Sequence, residues 1–80
     1  MQTLELQFGR VVRARREKLG LSQEDFADKV GIHRTYVSSI ELGKVQVSIG
    51  IAFKLAQALG LPLSRLWKDV EQADDSAADA

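Results

Sequence analysis

A short segment near the middle of the chain concentrates side chains that can recognise another molecule through hydrogen bonds. It contains Arg34, Thr35, Tyr36, Ser38 and Ser39. Arginine presents a planar fork of donors that fits the O6 and N7 atoms of guanine, and threonine presents both a hydroxyl and a methyl group. These residue types therefore favour contacts to the edges of nucleic-acid bases.

The composition argues against catalytic and metal chemistry. The 80 residues include no cysteine and one histidine, His33, so disulfides, thiolate metal sites and a histidine cage are excluded. The sequence has no glycine-rich phosphate loop and no plausible serine, histidine and aspartate arrangement. We therefore expect no enzyme, no cofactor and no metal site.

Neither a membrane span nor a secretory signal is expected. No apolar run approaches the ~20 residues that a membrane helix needs. Residues 1–10 include Glu5 and lack the basic and then apolar pattern of a secretory signal. We expect a cytoplasmic protein, and no domain for a small-molecule ligand is evident.

The formal net charge is zero, which by itself argues against a nucleic-acid partner. The charges are segregated, however. Residues 1–68 hold all eleven basic residues and six acids, a net +5, whereas residues 69–80 hold five acids and no base, a net −5. Residues 72–80 also lack large apolar side chains. The sequence therefore predicts a basic domain over residues 1–70 and a disordered acidic tail over residues 71–80.

Apolar residues recur at helical spacing through the domain, and the predicted class is all-α. Five helices are expected at about residues 4–19, 23–30, 34–42, 49–59 and 63–70. Ser22 and Ser48 are placed to cap two of them, and glycines follow the ends of the first four. The expected inward residues are Leu4, Phe8, Val12, Leu19, Phe26, Ala27, Val30, Val37, Ile40, Ala52, Leu55, Ala56 and Leu59.

The segment 22–43 carries the strongest signal. Two short helices are joined by a turn that begins at Gly31, and the small Ala27 allows the helices to approach closely. Val37 and Ile40 can hold the second helix against the first. This is the helix-turn-helix pattern, in which the outer face of the second helix can enter a major groove.

In this region the chain resembles the Cro/C1-type (Xre) family of bacterial and phage regulators. The resemblance covers residues 8–67 and is carried by REKLGLSQEDFA at 16–27, VGI at 30–32, IELG at 40–43 and AQALGL at 56–61. It implies a compact five-helix, lambda-repressor-like DNA-binding domain. The segment HRTYVS at 33–38 is similar to restriction-modification controller proteins.

The resemblance also implies roles for single residues. Arg34, Thr35 and Ser39 match positions that reach base edges, Tyr36 matches a tyrosine at the DNA, and Gln23 matches a phosphate contact. Arg16 and Glu41 match a structural ion pair. Helix five matches a frequent homodimer surface, here assigned to Leu61, Leu63, Leu66, Trp67 and Val70. By their spacing alone, the last four could also belong to the core of a single chain, but so small a domain has few layers to cover them all, so we expect at least one of them at a dimer surface.

The residues themselves add two further expectations. Ser22 and Gln23 begin a helix, where exposed amides favour a phosphate. Lys44 is the only base in the loop 42–47, where many family members carry more, so this loop either contacts DNA through Lys44 or serves packing or a partner.

The expected function is that of a homodimeric, sequence-specific transcriptional regulator that binds a near-palindromic site in double-stranded DNA. The alternative is a phage-type repressor or antitoxin-like regulator whose main partner is a protein. The sequence does not distinguish activation from repression.

Overall fold

The computed structural model describes residues 3–79, with side chains through Ala73. These residues form five helices and no strand, so the predicted all-α class is confirmed. The helices are α1 (Leu4–Lys18), α2 (Gln23–Val30), α3 (Arg34–Glu41), α4 (Ile49–Ala58) and α5 (Leu63–Asp79). The bounds of α1 to α4 lie within one residue of those expected from the sequence.

Side-chain caps and a left-handed glycine fix where the helices begin and end. The Ser22 hydroxyl accepts a hydrogen bond from the Asp25 amide at 3.0 Å, and the Ser48 hydroxyl accepts one from Ile51 at 3.1 Å. Gly31 ends α2 with φ +88°, a conformation that glycine adopts without the steric cost of a Cβ. The turn between α2 and α3 is therefore encoded locally.

All five helices contribute to one core. Its largest fully buried side chains are Val12, Phe26, Val37, Ile40, Leu55, Leu66 and Val70. Two expected core residues are not buried: Leu4 and Leu19 are about half exposed, at 51% and 52%. Leu4 begins α1 and Leu19 directly follows it, so the apolar spacing alone overestimated the buried stripe at both ends of the helix.

The first helix contacts the backbone at the end of α3. A Cβ atom placed on Gly9 would lie 2.2 Å from the carbonyl oxygen of Ile40 and 2.8 Å from that of Glu41. Only a residue without a side chain fits there. This close contact holds α3 at a fixed distance from α1.

The fifth helix extends past Val70, the end that the sequence predicted. Ala73 packs against the core, and the Asp69 carboxylate, which was counted with the acidic tail, pairs with Arg15 and Arg65. Asp69 therefore belongs to the folded body and joins α5 to α1. The disorder predicted for residues 71–80 stays a prediction, and the side chains of residues 74–80 lie outside those described.

Candidate nucleic-acid interface

The outer face of α3 brings the predicted base-reading side chains together. Arg34 and Thr35 are exposed, whereas Tyr36, Ser38 and Ser39 are half-buried. The opposite face is fixed in the core by Val37 and Ile40, which are 1% and 2% exposed. Hydrogen-bonding groups thus lie on the surface of a helix that its buried face holds in place.

A shallow groove of about 510 Å³ runs beside this surface. Its walls are the turn between α2 and α3 and the outer side of α3, and its lining residues are Gly31, Ile32, His33, Thr35, Tyr36 and Ser39. His33 occupies the N-cap position of α3 without a side-chain capping bond. The sequence placed His33 at this helix start but did not indicate the groove.

A buried ion pair ties α1 to the end of α3. The Arg16 guanidinium donates to both oxygens of Glu41, from Nε at 2.7 Å and from Nη2 at 3.0 Å. A third donor, Nη1, bonds the Leu21 carbonyl oxygen at 2.7 Å. The hydrogen bond to Glu41 raises the pKa of Arg16, against the opposing effect of burial, so Arg16 stays charged. The pair implied by the family resemblance is thus formed.

Gln23 extends this pair toward the exposed surface. Its Nε2 donates to Glu41 Oε1 at 3.0 Å, and its Oε1 accepts from Arg34 Nη1 at 3.5 Å. The phosphate role predicted for Gln23 remains a prediction, but its side chain already has partners within the protein. The Ser22 hydroxyl likewise serves as a helix cap. Sequence spacing could not predict the contact to Arg34, because it depends on how α2 and α3 cross.

The loop after α3 has two kinds of residue. Val45 and Val47 are half-buried and pack against the core, while Lys44 is exposed. Val45 and Val47 therefore serve packing, which is one of the interpretations of the loop, whereas Leu42 is 52% exposed. Lys44 projects into solvent and is available for a further contact.

A second surface, on another side of the molecule, is apolar. A groove of about 660 Å³ lies between the start of α1, the loop before α4 and the start of α5. We call this the apolar groove; its apolar lining residues are Leu4, Phe8, Val45, Val47, Ile49, Ala52, Leu63 and Trp67. Ile49 is 84% exposed, the largest value among the exposed large apolar side chains.

The predicted dimer residues divide into two groups. Leu66 and Val70 are 0% and 1% exposed, so they belong to the core of one chain and their assignment to a dimer surface is wrong. They face the core together with Ala73, which lies on the same side of α5. Trp67 is 42% exposed, and Leu61 and Leu63 are half-buried.

Two exposed apolar residues of α4, Ile49 and the half-exposed Phe53, were not predicted from the sequence. The sequence did contain an indication of them, because α4 has more large apolar residues than its inward-facing positions can hold.

Neither a membrane-spanning helix nor a cluster of metal-binding side chains is found among the described residues. Within the described part of the chain, no helix has both the length and the apolar character to cross a membrane. The same residues contain no group of three or more histidine, aspartate or glutamate side chains that could hold a metal ion.

Comparison with known proteins agrees with this architecture. The helix-turn-helix family model matches residues 12–66. The chain therefore belongs to the helix-turn-helix family, and its Cro/C1-type resemblance is confirmed.

Individual relatives narrow the similarity to controller proteins. The chain is 42% identical over 73 residues to control protein C.MunI from Mycoplasma sp., covering 90% of this chain and 99% of that protein. It is also similar to the crystal structure of the restriction-modification controller protein C.AhdI from Aeromonas hydrophila. That match has a TM-score of 0.74 and 39% identity and covers 76% of this chain and 92% of the other.

A second solved structure shares the fold. It is the controller protein C.Esp1396I, a tetramer in complex with its natural 35 base-pair operator. The TM-score is 0.83 at 23% identity, with 91% of this chain and 96% of the other covered.

Proposed function

We propose that this protein is a sequence-specific, DNA-binding transcriptional regulator that acts as a homodimer on a near-palindromic operator. The observation that carries the proposal is the outer face of α3, where Arg34 and Thr35 are exposed on a helix anchored by Val37 and Ile40. The 42% identity to the control protein C.MunI supports a controller-like role.

In this proposal, α3 lies in the major groove of double-stranded DNA. Arg34 donates to a guanine, and Thr35 bonds a base or packs on a thymine methyl group. Tyr36, Ser38 and Ser39 border the same surface. Ser22 and Lys44, at the start of α2 and in the loop after α3, contact phosphates and fix the register on the duplex.

A second copy of the chain would cover the apolar groove. Trp67, Ile49 and Phe53 are exposed apolar side chains of α4 and α5, and contiguous apolar surface favours association. A two-fold dimer pairs two α3 helices at a spacing of about one DNA turn, ~34 Å. C.Esp1396I, which shares the fold, is a tetramer in complex with its operator.

The same proposal assigns the protein no catalytic activity and places it in the cytoplasm. Its only partners would be double-stranded DNA and a second copy, and the concentration of the dimer would control occupancy. The sequence contains no cysteine and only one histidine, and this composition supports binding rather than catalysis.

The test is selection of bound sequences from random duplex DNA, followed by mobility-shift titration at several salt concentrations. We expect a motif of two inverted half-sites, with affinity that falls steeply as salt rises because phosphate counterions are released. Arg34→Ala should relax the preference at one position of each half-site. Enrichment of no sequence, or salt-independent binding together with a co-purifying protein, would contradict the proposal and favour the protein-binding alternative.

A further inference from the structure

A chain of hydrogen bonds leads from the buried ion pair to the exposed surface of α3. It runs from Arg16 to Glu41, from Glu41 to Gln23, and from Gln23 to Arg34. The first members are almost entirely buried, with side-chain exposures of 9% for Arg16 and 2% for Glu41. The last member, Arg34, is exposed. The chain thus connects the core to a side chain that, in the proposed function, reads a base.

The chemistry of the partners fixes which way the Gln23 amide points. Both oxygens of the Glu41 carboxylate accept hydrogen bonds from Arg16, and a carboxylate oxygen that also contacts Gln23 accepts from the NH₂ end of that amide. A guanidinium only donates, so Arg34 requires the carbonyl end. The two neighbours therefore favour the same orientation, in which Gln23 directs its NH₂ group to Glu41 and its carbonyl oxygen to Arg34.

We infer that Glu41, acting through Gln23, positions the Arg34 guanidinium for its base contact and thereby contributes to sequence discrimination. This inference rests on the proposed function. The contact between Gln23 and Arg34 uses one of the five donors of the guanidinium, which leaves the others for a base edge. Ordering a long side chain before binding reduces the entropy lost on contact. Gln23 and Glu41 are accordingly positioning residues and need not touch the base.

The inference predicts a different outcome from a simple phosphate contact. Loss of a phosphate contact weakens binding to all sequences by a similar factor. Loss of a positioning residue lets Arg34 reach alternative acceptors, so it reduces the preference at one base pair. The two roles of Gln23 are thus separable by the pattern of selected sequences.

The experiment compares Gln23→Met, Arg34→Ala, the double variant and the wild type by selection from random duplex DNA. Gln23→Met keeps an unbranched side chain and removes both hydrogen bonds. We expect its motif to lose preference at the position that Arg34→Ala also affects, by roughly two- to tenfold, the cost of one unordered side chain. In the double variant, the Gln23 substitution should have no further effect at that position. Gln57→Met, at an exposed glutamine of α4, is the matched control and should leave the motif unchanged.

The outcomes separate the inference from the proposed function. A uniform loss of affinity with an unchanged motif, or no change at all, would overturn the positioning role and leave DNA recognition intact. Failure of the wild type to enrich any motif would overturn the proposed function itself. Urea unfolding of each variant is measured in parallel, and a motif change in a variant with wild-type stability supports the inference.

Discussion

The two sides of the molecule are built by opposite means. On the side of α3, polar groups are satisfied inside the chain: Arg16, Gln23 and Glu41 form a hydrogen-bonded network that reaches Arg34. At the apolar groove, large side chains such as Ile49 remain exposed and nothing within the described chain covers them. The first surface satisfies its polar groups within one chain, whereas in the proposed function a second copy covers the apolar groove.

This difference corresponds to two kinds of recognition. Hydrogen bonds are directional, so a surface that distinguishes bases needs its donors held in place before contact. The hydrophobic effect is non-directional and scales with buried area, so an association surface needs exposed apolar groups in a suitable shape. Variants on the two sides should therefore change different measured quantities, the free energy of unfolding on the α3 side and the dimer dissociation constant at the apolar groove.

The largest effect is expected from Arg16→Met, which leaves the buried Glu41 carboxylate without its charged partner. Removing one member of a buried pair costs about 3–5 kcal/mol, and urea unfolding should show a loss of that size in the free energy of unfolding. Arg13→Met is the matched control, because the pair of Arg13 with Glu17 has both side chains more than half exposed. It should change stability by less than about 0.5 kcal/mol.

A further variant separates the charge from the geometry of this network. In Arg16→Met/Glu41→Met both charges are replaced by apolar side chains, and most of the lost stability should return. A loss below about 1 kcal/mol in the single variant would mean that Glu41 is solvated at little cost, and it would contradict a buried network that depends on the Arg16 pair.

Gly9→Ala should have the next largest effect, because the new methyl group overlaps the Ile40 carbonyl oxygen at 2.2 Å. Overpacking against backbone should cost about 3 kcal/mol in unfolding free energy and displace α3, with loss of DNA binding. Gly50→Ala is the matched helical control, since its nearest neighbour would be the Ser48 hydroxyl at 3.8 Å. That control should be neutral or stabilising by up to about 1 kcal/mol. Equal behaviour of the two variants would show that α1 and α3 are not in rigid contact.

A smaller effect is expected from Ile49→Asp in the apolar groove. Ile49 is 84% exposed, so the unfolding free energy of the isolated chain should change by less than about 0.5 kcal/mol. The dimer should dissociate at least tenfold more readily, about 1.4 kcal/mol, because a charge would be buried at the contact. Sedimentation equilibrium measures this, with Gln57→Asp on the exposed side of α4 as the control. An unchanged dissociation constant would place the dimer contact elsewhere.

The sequence predicted correctly those features that depend only on residues close together in the chain. Ser22, Ser48 and Gly31 set helix boundaries through caps and a left-handed turn, which involve only neighbouring residues. The inward direction of Val37 and Ile40 followed from helical spacing. By extension, the outward direction of Arg34 and Thr35 was also predictable.

Predictions failed where burial depends on more than one helix. Helical spacing placed Leu4 in the core, and the family resemblance placed Leu66 on a dimer surface, but Leu4 is half exposed and Leu66 is fully buried. Spacing defines a face of a helix, whereas the neighbours of that face are set by how the helices pack. Counting Asp69 with the acidic tail was wrong for a similar reason. Its carboxylate pairs with Arg15, a residue of α1 that is remote in sequence.

The sequence by itself determined the class of this protein, five helices with a helix-turn-helix at their centre, because caps, turns and apolar periodicity are local. Only the tertiary structure decided that Gln23 joins Glu41 to Arg34, that Gly9 must lack a side chain, and that Ile49 belongs to an open apolar surface. Each of these depends on the distance between segments remote in sequence. That distance is fixed when the helices pack together around the shared core.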